Sequence, residues 1–252
     1  MIIGLGGFIV AKYLYSVQAS GVTMKMNNRA WCLFFFLYLV ICGIAAAQRV
    51  SAQASALELL PREREIELAL SAAPEHLRKE ATVYVFGRGG YEKVRVGQNN
   101  FTCLVNRDGA QDGDRTLRPT CWDAEGDHTI VPVMLRVGEL LAQGKTAAEI
   151  KRDIDSGFTE GRFHSPRRTG IAYMLAGDVK QFDAKTGQIV SRAYPPHYMI
   201  YAPGVTDADI GMTKEGYEIN PSLPGVYSGY SGGTRTAYII VLAGEHKSQS
   251  AH

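Results

Sequence analysis

Apolar positions change their spacing several times along the chain. Ile66, Ala69, Leu70, Ala73 and Leu77 recur at helical intervals after Pro61, with Arg62, Glu63, Arg64, Glu67 and Arg78 at the remaining positions. This predicts an amphipathic helix that Pro74 kinks or restarts. Alternation then takes over in Thr82-Val-Tyr-Val-Phe86, residues 91–96 and Phe101-Thr-Cys-Leu-Val105. Gly87-Arg-Gly-Gly90 and Gly97-Gln-Asn-Asn100 separate these runs as turns, and together they predict an antiparallel meander. Residues 106–114 are turn chemistry, and Cys121-Trp122 begins the next short strand.

Helical spacing returns at Pro132. Val133, Val137, Leu140 and Leu141 form one stripe that Gly144 stops. Thr146-Ala-Ala-Glu149 is a capping box that opens a second helix through Ile150 and Ile154, ended by Gly157. Residues 171–175, 181–182, 188–190, 197–202 and 237–242 read as later strands. The gaps at 157–170 and 203–236 are rich in Gly, Pro, Ser and Tyr, and are the loops expected to display a site. The fold class is α+β: an antiparallel meandering sheet packed by an N-terminal helix and a helical hairpin, with one disulfide.

The N-terminal pattern belongs to another class. Lys25 and Arg29 precede an uncharged run containing Leu33-Phe-Phe-Phe36 and Leu39-Val-Ile41, followed by Ala45-Ala-Ala47. Residues 24–47 therefore read as a bacterial-type export signal with small residues at the cleavage site. Translation is expected to begin at Met24, with 1–23 a start-site extension. Residues 48–56 form a tether, 57–245 a single globular domain and 246–252 a frayed tail. Residues 30–47 also meet the lower limit for a spanning helix, so retention as an inner-membrane anchor is the alternative. Lipoprotein processing at Cys42 is disfavoured by the bulky Ile41 before it.

Charge changes the picture little. Residues 1–47 hold three basic and no acidic side chains, which leaves 24 basic against 25 acidic in the other 205 residues, a net of −1. No basic face argues for nucleic acid. Cysteine usage agrees with export: Cys32 and Cys42 lie in the leader, and Cys103 and Cys121 remain as one pair. In an oxidising compartment that pair forms a disulfide, stabilising by roughly 3 kcal/mol for a loop of about 19 residues. A two-cysteine metal site would need further ligands, with His128 the nearest.

Candidate chemistry is sparse. Gly229-Tyr230-Ser231-Gly232-Gly233 matches the nucleophile-elbow pattern, but a glycine-rich loop precedes it and a strand follows, and the acid and histidine it would use in that order, Glu245 and His246, are adjacent in the tail. Asp123-x-Glu125-x-Asp127-His128 groups potential cation ligands, yet Gly126 precedes the third acid and the twelfth position is Met134, so turns explain it better. Asp108, Asp112 and Asp114 meet the same objection. Asn100-Phe-Thr102 fits a glycosylation sequon by chance in a chain with a bacterial leader. His197 sits in Tyr194-Pro-Pro-His-Tyr-Met-Ile-Tyr-Ala-Pro203, where Tyr198 and Tyr201 are expected to line a pocket with it. His164, beside Arg162, Arg167 and Arg168, is a candidate for an anionic ligand. No catalytic, cofactor or metal residue is assigned.

Phe101-Thr-Cys-Leu-Val105, Thr120-Cys-Trp-Asp-Ala-Glu-Gly126, and Pro195-Pro-His197 through Tyr201-Ala-Pro203 resemble a group of uncharacterised exported bacterial proteins over residues 72–243. The resemblance implies export and one domain, and it transfers no catalytic residue. The expectation is a periplasmic or secreted domain that binds a small molecule or envelope component without catalysis. The alternatives are a hydrolase using Ser231 or a His197–carboxylate pair, and a membrane-tethered structural protein.

Overall fold

The computed structural model describes residues 57, 59–114, 116–176, 178–183, 188–193 and 195–243, with the backbone alone over 178–193. The extension 1–23, the export signal 24–47, the tether 48–56 and the tail 246–252 lie outside these residues. Among the described residues no helix is long and apolar enough to cross a membrane.

Helix α1 (Arg62–Ser71) and the single turn α2 (Glu75–Arg78) start after Pro61 and Pro74, whose fixed φ suits a helix entrance. Strands β1 (Thr82–Gly87), β2 (Gly90–Arg95), β3 (Thr102–Asn106) and β4 (Thr116–Trp122) follow. Three helices come next: α3 (Ala124–Thr129), α4 (Val131–Ala142) and α5 (Ala147–Thr159). Then come β5 (Ile171–Met174), β6 (Asp178–Asp183), β7 (Gln188–Ala193), β8 (His197–Tyr201), α6 (Lys214–Ile219), β9 (Gly225–Tyr227) and β10 (Tyr238–Leu242).

The main path of the sheet is β2-β1-β3-β4-β5-β8-β10-β9, with the β6–β7 hairpin attached to β4. This corrects the antiparallel meander, because β1 and β3 are parallel, with Thr82 opposite Thr102 and Val83 opposite Cys103. The reason lies in Gly97-Gln-Asn-Asn100. This segment does not turn β2 back on itself but crosses the start of β1, where Gln98 N and Asn99 N donate to Glu80 O and Gly97 N donates to Thr82 Oγ1. A Cβ on Gly97 would run into the Glu80–Thr82 backbone, so only glycine permits the crossing. Asn100 completes it in the left-handed region at φ 60°.

Each face of the sheet has its own helical cover. Leu104, Trp122, Ala172 and Met199 pack with Val133, Val137, Leu140, Ile150 and Ile154 of the α4–α5 hairpin. Val83, Cys103, Val105, Leu117 and Cys121 pack with Ala69 of α1 and with Ala72 and Ala73 just after it. Those alanines let α1 lie close to the sheet, and they rotate the buried stripe away from Ile66 and Leu70, which are half-buried. The disulfide Cys103–Cys121 joins directly opposed residues of β3 and β4 on the α1 face.

The predicted hairpin is present, and both halves of its capping box form: Thr146 Oγ1 accepts from Glu149 N, and Glu149 accepts from Thr146 N. Gly157 does not end α5. It lies inside the helix because Phe163 packs where its side chain would be, and the stop falls at Gly161, φ 77°. Cys121-Trp122 closes β4 rather than opening a strand, and the acidic stretch expected to be turns is α3, with Asp123 as its N-cap.

Candidate functional site

A cavity open to a ligand lies at the β9 end of the sheet. Strands β8, β10 and β9 present His197, Ile240, Leu242, Gly225 and Tyr227 on the face shared with the α4–α5 hairpin, since these residues are paired directly across the strands or sit two apart. The segment 203–224 folds back over that floor. Thr206 and Asp209 cap each other in the 3-10 turn Asp207–Ile210, Gly211 ends it at φ 71°, and Thr213 Oγ1 accepts from Gly216 N to start α6. Asp207 Oδ1 accepts from Val226 N at 2.8 Å and ties this roof to β9. Between roof and floor is a cavity of about 1010 Å³, lined also by Met212, Tyr217, Glu218, Ile219 and Leu223.

His197 stands at the base of the cavity, 2% exposed. Its Nδ1 lies 3.0 Å from the Pro195 carbonyl, which only accepts, so Nδ1 carries the hydrogen. Burial lowers its pKa, outweighing the opposing effect of that backbone bond, and the ring is neutral at neutral pH. Among the described residues the charges on the lining are Asp207, Lys214 and Glu218. Lys214 and Glu218 are 3.7 Å apart on the exposed side of α6.

The other expected binding residues lie elsewhere. Tyr198 alternates to the opposite face of β8, beside Tyr173 and Val241. Tyr201 shares the face of His197 but is buried: its hydroxyl donates to Asp123 Oδ1 at 2.7 Å, with the Ile171 carbonyl at 2.9 Å. Burial first, then Asp123, push its pKa up. His164 is exposed between α5 and β5. Of the four, His197 alone lines the cavity. Met212, Tyr217, Leu223, Val226 and Tyr227 were missed by sequence reasoning, and the available signal was the recurrence of apolar residues in a stretch otherwise rich in Gly and Pro.

Ser231 is 4% exposed, and its hydroxyl donates to Asp108 Oδ1 at 2.6 Å while its N–H donates to Asp108 Oδ2 at 3.1 Å. Gln111 Nε2 donates to both residues. This network fastens the 225–236 segment to the β3–β4 connection and commits the serine hydroxyl as a donor to a carboxylate. In the acidic stretch, Asp123 accepts from Gly126 N, Ile171 N and Tyr201, while Asp127 accepts from Thr102 Oγ1 and Glu125 from Arg167 N and Arg168. Among the described residues no three His, Cys, Asp or Glu stand together as a metal site.

Compared with protein-family models, curated proteins and solved structures, the chain matches none.

Proposed function

We propose that this protein is an exported, non-catalytic domain that binds a small molecule in the cavity over β8, β10 and β9. The cavity carries the reading: at about 1010 Å³ it has the size of small-molecule sites, and apolar side chains with a few polar groups line it. The burial of Ser231 against Asp108 and the Pro195-facing ring of His197 support binding over hydrolysis, since a serine nucleophile must be open to its substrate. The leader pattern, the resemblance to exported bacterial proteins and the disulfide support export.

The test is titration with phenylnaphthylamine, whose fluorescence rises in apolar surroundings. A saturable rise on the folded protein that Ile240→Trp removes is the expected result. A probe that stays dark on the folded wild type would remove the reading.

A further inference from the structure

The lining is graded from one end of the cavity to the other. The floor is the sheet face, where Ile240, Leu242 and Tyr227 share the side of a neutral His197. The lip is α6 and the turn after it. Ile219 lines the cavity yet is 85% exposed, and Tyr217 and Leu223 beside it are also exposed. Large apolar side chains held in water at the edge of an apolar cavity mark a surface that something covers. A compact ligand resting on the floor would leave Ile219 in water. A chain that starts on the floor and runs out past the lip covers both.

Charge restricts the exposed end of such a ligand. Among the described lining residues, Lys214 already faces Glu218 on α6, and Asp207 in the roof adds a further carboxylate, a net charge of −1. Among the described residues the floor offers no cation, because burial lowers the pKa of His197. A carboxylate or phosphate head would meet this net negative lining and, among the described residues, find no cation below it.

Resting on the cavity reading above, we infer that the ligand is a long-chain amphiphile whose head carries no negative charge, with its chain on the β8–β10–β9 floor and its head beyond Ile219.

The experiment displaces phenylnaphthylamine from the full chain with alkyl glycerol monoethers of increasing chain length, each below its micelle concentration. The apparent Kd is expected to fall by about fourfold per added methylene until the floor is filled. The fatty acid of matching chain length should bind about threefold more weakly at low salt, a gap that closes as salt screens the lining. Ile219→Ser changes an exposed side chain at the lip. It should weaken the longest monoethers about threefold or more and the shortest ones less. A Kd independent of chain length, a fatty acid that binds as tightly as the monoether, or an Ile219→Ser protein indistinguishable from wild type overturns the inference. In each of those cases the probe still binds, so the cavity reading stands. Absence of probe binding removes the cavity reading itself.

Discussion

Glu65 and Arg107 are 1% and 3% exposed and form a two-pronged pair, Nη1 to Oε1 at 2.8 Å and Nη2 to Oε2 at 3.1 Å. Glu65 Oε1 also accepts from Phe86 N at 2.8 Å, and the guanidinium lies 4.7 Å from the Phe86 ring centre. The pair fastens α1 to β1 and to the residue after β3. Its net value against an apolar replacement is small, but removal of one partner strands the other without water. Glu65→Ala should therefore lose about 3–5 kcal/mol in urea denaturation, and Glu65→Leu with Arg107→Met should recover much of the loss. An unchanged midpoint for Glu65→Ala would show that the pair contributes nothing. Asp114 makes a pH-dependent case. Burial would raise its pKa, but hydrogen bonds from Thr116 and Tyr230 and the Arg118 charge outweigh that and lower it from 3.8 to about 2. A carboxyl depressed in the folded state adds stability above its unfolded pKa and loses it as pH falls through the folded value. Stability should fall by roughly 2 kcal/mol between about pH 4 and pH 2 on this account, and Asp114→Asn should flatten that part of the curve. An identical acid limb in the variant would assign the loss to other carboxyls.

At the scale of elements, the disulfide matters through the strands it joins. Cys103 and Cys121 are opposed across β3 and β4 and lie 18 residues apart in sequence, both fully buried against Ala69. Replacing both with serine should cost roughly 3 kcal/mol or more, from loop closure in the unfolded chain and from hydroxyls placed in an apolar layer. Thermal unfolding checks this, and a melting temperature within a degree or so of wild type would contradict it. The α4–α5 hairpin needs no such staple. Its capping box, the Arg136–Asp153 pair at 2.8 Å between the helices and its apolar stripe all act within one short stretch of chain. Local consistency of this kind made the hairpin legible from sequence. Gly157 was misread because glycine serves both as a helix stop and as a place for a neighbouring ring, and only the position of Phe163 distinguishes the two.

For the molecule as a whole, the open question is compartment. Mass spectrometry of the protein recovered after export should show a chain beginning at or near Gln48 and lighter by two hydrogens for the disulfide. A retained leader would move the protein to the membrane and favour a tethered role. The candidate site also exists only at this scale. Its floor comes from strands β8, β9 and β10, and its roof from the 203–224 segment that joins the first two. Of the residues singled out in sequence, His197 lines the cavity, whereas Tyr198 and Tyr201, near it along the chain, do not. Neighbours along a strand point to opposite faces, and residues two apart share a face without sharing a cavity.

What the sequence alone determined is what short-range chemistry controls: proline entrances, the Thr146–Glu149 cap, the apolar stripes of α4 and α5, and the alternation in β1, β3 and β8. These depend on residues within a turn or two of one another, so a window of sequence contains their causes. Tertiary structure decided the parallel pairing of β1 with β3, the burial of Glu65, the capture of Ser231 by Asp108 and the roof over His197. Each of these joins residues about twenty to more than a hundred positions apart. An alternating pattern states that a strand has an apolar face, but which element covers that face is settled only when the whole chain packs.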